Sequence, residues 1–354
     1  MFNRSPYLKF GSILLLFAAI LLSGCIKVKT EQKTPTLLSV DDADQGVLYN
    51  RVNYLAKVNS INAKMYLSFE DNSYAESGLS EKYTTADSTI VVQRPASILL
   101  KVEVPIIGTD IAQMTSNGEN FRVAILEDGA GGKYKKFVLG SNKIDYSLLT
   151  DKLDDIGSND SKETQKNVNA FSNMRPQHFT DAMLMRPIDT DNFVYIRSTI
   201  TQEEFDIKAD KKSPLRWVLR GYYLLDEHRR ADNGDLVITR RFWFDRVGGI
   251  NLARQQIFGA NGEIESDIVY GKTGPVSETG EYKLPLEVEV TRPKEKYKIK
   301  LIYKAERSVK IGKEYPATAF VLENTWNLQE VDLDKQLLER KNGTSPQTSI
   351  GKND

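Results

Sequence analysis

His178 and His228 carry the only two imidazoles of this 354-residue chain, and Cys25 carries its only thiol. A structural Cys/His zinc site needs four such ligands and a disulfide needs two thiols, so both are excluded, as is a Cys-His couple in a folded domain. A serine with a histidine base would be the remaining acyl-transfer chemistry, but no G-x-S-x-G turn occurs. His178 sits beside Phe179 after Pro176, and His228 lies in Asp226-Glu-His-Arg-Arg230, which reads as a charged turn. Gly271-Lys272-Thr273 has the ending of a phosphate loop, yet Ser266 stands where that loop needs its first glycine, and Gly274-Pro275 follows in place of a helix. Asp128-Gly-Ala-Gly-Gly-Lys133 lacks the G-x-G-x-x-G spacing and reads as a hairpin tip. Glu203/Glu204 and Asp154/Asp155 are adjacent pairs that would face opposite ways in a strand, which makes them solvated charge. No residue is assigned a catalytic role, and no metal or non-covalent cofactor is expected.

Charge and composition narrow the classes further. Lys and Arg total 48 against 48 Asp and Glu, which leaves no excess of cations to displace counterions from a nucleic acid. With 40% apolar and 27% charged residues the chain is globular and not disordered. Residues 1–24 have Arg4 and Lys9, no acidic residue, an apolar run from Ile13 to Leu22, and small residues after it, the order of a secretory signal. That run is about half of the ~20 residues a membrane-crossing helix needs. Leu22-Ser23-Gly24-Cys25 resembles the bacterial lipobox, which implies cleavage before Cys25 and acylation of that residue. Several acyl chains, at ~0.8 kcal/mol per buried CH₂, make such an anchor effectively permanent. The chain from Cys25 onward sums to 46 − 48 = −2, so the lipid and not anionic head groups must hold it to a membrane. Ile26, in place of Asp, implies the outer membrane, with the chain facing the periplasm.

Residues 25–43 are polar and aperiodic and read as a flexible tether. Val47, Leu48, Val52, Leu55 and Val58 then recur at helical spacing between Asp44 and Ser60. From Asn62 the period switches to two: Ile98, Leu100, Val102 and Val104 alternate with charged or outward residues, as do Leu286, Val288 and Val290. Asn117-Gly118, Asp128-Gly129, Asn233-Gly234 and Asn261-Gly262 are type I′ hairpin signals. The spacing predicts strands near 62–70, 86–94, 97–105, 109–116, 119–126, 135–139, 193–200, 203–208, 215–226, 235–245, 248–259, 263–273, 284–291 and 296–304. The alternation lapses between 146 and 187, where two short helices or helical turns are expected. One domain over 44–326 follows, with a polar tail at 327–354.

A helix feeding a long meander buries both apolar faces if the sheet wraps around the helix. Thr89-Ile-Val-Val-Gln-Arg94-Pro95-Ala-Ser-Ile-Leu-Leu-Lys-Val, followed by Asp110-Ile-Ala-Gln-Met-Thr-Ser-Asn117-Gly118-Glu-Asn-Phe121, is similar to the LolA/LolB family of outer-membrane lipoprotein-sorting carriers. The similarity covers about residues 44–140, with an echo of the family's last strand in Ala319-Phe320-Val321-Leu322, and 140–190 has no counterpart. It implies a mainly-β fold with some α, a large unclosed antiparallel barrel wrapped around helices, and carriage of acyl chains in an apolar cavity. It also implies that Arg94, with Pro95, contacts a lid at the cavity mouth; the plain reading of Arg94 is a strand-end side chain reaching solvent. Leu100, Val102, Phe121, Phe242 and Phe244 are candidates for lining that cavity, or for ordinary core packing.

Two functions follow. One is a lipid-anchored, periplasm-facing protein that binds acyl chains of lipoproteins or a phospholipid and transfers them without chemistry. The other is a structural or assembly lipoprotein whose sheet is filled by its own side chains and which docks other envelope proteins.

Overall fold

The computed structural model describes residues 34–71, 81–104, 108–127, 132, 135–144, 146, 149, 177–207 and 209–342. The signal segment, Cys25, the Asp128-Gly129 turn and the first of the two expected helical turns lie outside them. Helix α1 (Gln45–Ala56) begins where Asp44 accepts a 2.9 Å hydrogen bond from the Val47 amide, satisfying one of the free donors of the first turn. Its Leu48 and Val52, one turn apart, are fully buried.

From α1 the chain enters the middle of a sheet and runs outward as an antiparallel meander: β2 (Ser60–Asp71), β3 (Glu81–Gln93), β4 (Ser97–Glu103), β5 (Asp110–Ser116), β6 (Asn120–Ile125) and β7 (Lys136–Ser141). Helix α2 (Gln177–Met183) follows. The chain then resumes with β8 (Phe193–Phe205) and β9 (Trp217–Arg230), and steps back through β10 (Leu236–Asp245), β11 (Asn251–Phe258), β12 (Ile264–Tyr270), β15 (Glu287–Arg292) and β16 (Tyr297–Tyr303) to pair with β2. Between β12 and β15 a separate hairpin is made by β13 (Thr273–Val276) and β14 (Tyr282–Pro285), and β17 (Lys310–Ile311) pairs with the start of β2. The two outermost strands of this path do not pair with each other, so the sheet is unclosed. A mainly-β, open antiparallel architecture over helices is what the sequence predicted.

The period-2 pattern sorts the faces as expected. Ile98, Leu100 and Val102 on β4 are buried while their neighbours are half-buried. One core cluster joins the inward side chains of β2–β7 and β16, and a second joins those of β8–β12 and β15. Phe179 and Leu184 belong to the first and Ala182 and Met185 to the second, so the α2 segment bridges them. The other face carries cross-strand ion pairs, among them Arg241 with Asp226 at 2.6 Å and Lys298 with Glu289 at 3.1 Å.

Several expectations are corrected. Gly118, Gly234 and Gly262 have positive φ but the asparagines before them do not, so the turns are not type I′; their loops are longer than two residues and need only one left-handed position. Asp226–Arg230 is not a turn but the end of β9, because cross-strand Arg240 and Arg241 neutralise its carboxylates. Residues 193–205 form one strand and not two. Ala317–Phe320 is a 3-10 turn after Pro316 and not a strand. Residues 38–43 are strapped down: the Asp41 amide donates to the Arg246 carbonyl at 2.8 Å and Asp41 Oδ2 accepts from the Gly249 amide at 2.7 Å. Past residue 327, β18 (Glu330–Asp332) pairs in parallel with β7 and helix α3 (Leu333–Lys341) buries Leu337.

Residues 34–37 and Glu203–Leu219 form a second, small unit. In it β1 (Thr36–Leu37) pairs in parallel with Val218 and Leu219, and Thr36 Oγ1 donates to the Pro214 carbonyl at 2.8 Å.

Candidate functional site

The covered face of the large sheet is closed at its middle by α2 and the residues after it. Seven helical residues are too few to be stable alone, so contacts must hold the segment in place. Four apolar side chains supply part of the hold: Phe179, Ala182, Leu184 and Met185 are all buried. The remainder is polar and comes from widely separated elements. His178 Nδ1 meets the Tyr297 hydroxyl, the Tyr270 hydroxyl donates to the Ala182 carbonyl at 3.1 Å, and the Ile188 amide donates to Asn53 Oδ1 at 2.9 Å.

Arg94 sits just after β3, with Pro95 following through a cis peptide. Its Nε donates to the Val58 carbonyl and its Nη2 to the Ala56 carbonyl, each at 3.2 Å, and Nη2 also reaches the Met185 carbonyl. A guanidinium suits this place because its rigid fork satisfies the carbonyls left free at the end of α1 while reaching the α2 segment. Burial lowers its pKa from the ordinary guanidinium value.

Beneath residues 182–185 lies a cavity of about 20 Å³, lined by Leu55, Ile61, Met183, Tyr270, Val288 and Tyr303 among others. That is room for about one water, against the ~300–1,000 Å³ of ordinary ligand sites. None of the five lining candidates reaches it. Leu100, Val102 and Phe121 pack in the first core cluster, and Phe242 and Phe244 in the second. The strand register put them on the covered face, but α2 and its neighbours fill the space in front of them.

A buried charge cluster at one end of this face escaped the sequence reading. Arg240 and Glu227 are both buried and paired through Nε at 2.8 Å and through Nη2. Tyr195 donates to Glu227 Oε2 at 2.7 Å and Thr239 to Oε1 at 2.8 Å. The same guanidinium donates to the carbonyls of Arg186 at 3.3 Å and Pro187 at 3.4 Å, which ties the α2 segment to β10. Burial opposes ionisation of Glu227, but Arg240 with the two hydroxyl donors outweighs it and holds this carboxyl below the ordinary range. Burial pushes the Tyr195 hydroxyl up to about 12. Burial likewise raises Asp181 on α2, only partly opposed by Arg186, Arg292 and Arg240. A signal for the cluster existed: Glu227 shares parity with Tyr223 and Leu225, and Arg240 with Phe242 and Phe244, so both charges sit in the inward register.

The remaining candidates are placed apart. His178 lies within the core on α2, and His228 is on β9. The Gly271 amide donates to the Glu287 carbonyl at 2.8 Å and strand β13 follows it, so no helix terminus faces a phosphate there. Among the described residues no group of three or more His, Cys, Asp and Glu is placed to hold a metal, and no helix is long and apolar enough to cross a membrane. The arrangement covers apolar surface with a short segment held in part by side-chain to backbone hydrogen bonds.

No protein-family model matches the chain, and neither does any curated protein. Among solved structures it is similar to a DUF1329 family protein from Desulfovibrio piger, at 10% identity and TM-score 0.39, over 80% of this chain and 97% of that one. It is also similar to a LolA superfamily protein from Nitrosomonas europaea, at 8% identity and TM-score 0.37, over 80% and 99%. A domain from Vibrio parahaemolyticus described as an outer membrane lipoprotein-sorting protein matches at 8% identity and TM-score 0.35, over 74% and 89%.

Proposed function

We propose that this is a lipid-anchored, periplasm-facing protein of the bacterial outer membrane that takes up acyl chains of lipoproteins or of a phospholipid on the covered face of its open sheet. It releases them without chemistry. The supporting observation is the way that face is closed: a seven-residue helix and the loop after it act as a plug, held by side-chain to backbone hydrogen bonds from Arg94, Tyr270 and Arg240. Anchoring through Cys25 comes from the Leu22-Ser23-Gly24-Cys25 motif.

The energetics suit reversible exchange. Burying an acyl chain of about fifteen CH₂ groups is worth on the order of 12 kcal/mol, while re-exposing Phe179, Leu184 and Met185 costs about 2 kcal/mol each. The ligand term is thus cut to about half before ordering costs are counted. A carrier that must give up its cargo needs such a compensating plug.

The 20 Å³ cavity favours the second reading, a filled sheet that docks other envelope proteins. Photoactivatable palmitate, irradiated with the purified full-length mature protein, separates the two. Carriage predicts adducts on peptides containing Ala182–Met185 and Leu284–Val288, with a higher yield in Arg94→Met. Adducts no denser there than on the outer face of the sheet would sink carriage and leave the filled sheet.

A further inference from the structure

Four of the five most exposed large apolar side chains among the described residues fall in the small unit: Ile207 at 75%, Leu37 at 72%, Leu215 at 60% and Phe205 at 58%. Scattered single exposures need no explanation, but a cluster on one hairpin tip does. Hydrogen bonds join the described residues of the tip. The Asp206 amide donates to the Arg216 carbonyl at 2.8 Å, the Lys212 amide to Asp210 Oδ1 at 2.8 Å, and Ser213 caps the 3-10 turn Pro214–Arg216. The Arg216 guanidinium lies 4.9 Å from the centre of the Phe205 ring, and Trp217 Nε1 donates to Glu203 at 2.6 Å. These bonds pair polar groups along the hairpin, while Phe205, Ile207 and Leu215 stay exposed.

We propose that this hairpin tip, with Leu37, dips into the surface of a lipid bilayer. Three observations favour a bilayer over a protein. Between Ile207 and Leu215 the sequence carries Lys208, Lys211 and Lys212 against Asp210, 3 − 1 = +2, in a chain whose total is zero; Glu203, Glu204 and Asp206 lie on the strand side of Ile207, and Lys211 and Lys212 are exposed at the apex. Apolar side chains beside two apical lysines match the acyl boundary and the anionic head groups above it. Four side chains fall far short of the ~800 Å² a stable protein interface needs on each side, whereas a bilayer sets no such minimum. Ten residues lie between Cys25 and Thr36, and an unstructured chain of that length has an r.m.s. span of roughly 18 Å. An acylated Cys25 therefore keeps the tip within reach of the head groups, so that weak insertion suffices. The proposal rests on Cys25 carrying the anchor.

The test uses Ile207→Cys and Leu215→Cys, each labelled with an environment-sensitive dye on the acylated full-length mature protein, with Asn261→Cys on the β11–β12 turn as control. The proteins are reconstituted in vesicles of phosphatidylethanolamine with a minority of phosphatidylglycerol. Dyes at 207 and 215 are expected to shift to the blue and lose iodide quenching, while the dye at 261 keeps both aqueous properties. Intact mass of the same samples reports acylation of Cys25, so failure of the anchor and failure of the tip are read separately. Tip dyes that stay quenchable beside an acylated Cys25 overturn the proposal, and an unacylated Cys25 overturns its premise. A blue shift that vanishes as protein is diluted into lipid assigns the tip to contacts between copies and overturns it as well.

Discussion

Arg94 and Met185, 91 residues apart, are joined by a hydrogen bond from a guanidinium Nη2 to a backbone oxygen. The same nitrogen serves Ala56, the last residue of α1. One side chain thus ties the entry helix to the plug.

Replacing Arg94 by Met keeps the aliphatic stem but leaves three carbonyls without their donor. A loss of about 2–3 kcal/mol is expected, since charged hydrogen bonds contribute ~1.5–3 kcal/mol and the orphaned acceptors add desolvation cost. Urea unfolding measures the loss, and hydrogen exchange locates it: amides of Phe179–Ile188 should exchange faster while those of β4 do not. Arg94→Met with unchanged exchange in that segment would show that the plug stands without the tie.

Glu227 and Arg240 form a pair that is costly to break and cheap to replace. Arg240→Met alone should cost about 3–5 kcal/mol because Glu227 stays buried without its cation. Adding Glu227→Leu should recover most of that, since a well-packed apolar pair of similar volume is often neutral. A double-mutant cycle in urea reads the coupling, and equal losses in the single and double variants would contradict a buried ion pair.

Glu227 and Asp181 give stability opposite slopes with pH. Glu227 has a lowered pKa, so its contribution is present above the ordinary value of about 4.3 and is lost as pH falls through the lowered one. Asp181 has a raised pKa, so its ionised form penalises the fold above that value and the penalty is relieved as pH falls toward about 3.9. Asp181→Asn is therefore expected to raise Tm at pH 7 and to remove a rise in stability on mild acidification. Chemical unfolding of both proteins across that range checks it; parallel pH profiles would mean that Asp181 is not penalised by burial.

Most of the sheet was legible because alternation, turn glycines and cross-strand pairing all act locally. Ile98, Leu100 and Val102 show it: their parity alone placed them on the buried face. The second helical turn expected before residue 187 is present as α2, but its place as a plug was not legible, because that depends on partners as distant as Tyr270 and Arg240. The charged run at 226–230 misled because charge suggests a turn, whereas the pairing of Arg240 with Glu227 is a fact of strand register. The short parallel strand β18 likewise depends on a partner, β7, almost two hundred residues earlier.

Phe121 and Gly140 face each other across β6 and β7, and a Cβ built on Gly140 would lie 2.7 Å from the ring's Cζ and 2.9 Å from the Tyr146 hydroxyl. The ring covers a residue without a side chain and occupies the space a Cβ there would take. Gly140→Ala is expected to cost about 1–3 kcal/mol through overpacking, despite the better strand propensity of alanine. Phe121→Leu in the same background should recover part of it, and Tm of the three proteins decides; an unaffected single variant would show that the ring moves aside freely.

Val288 borders the 20 Å³ cavity on the strand side, opposite Ala182 and Met185 of the plug. Val288→Ile adds one methylene to space that holds about one water, so stability should be unchanged or higher by up to ~0.8 kcal/mol. If acyl chains enter where the plug meets β15, that methylene stands in their path, and palmitate photoadducts on Leu284–Val288 should fall several-fold while those elsewhere do not. Unchanged adducts in a protein of unchanged stability would place the entry point away from this cavity, because the added group alters nothing but the volume in front of the plug.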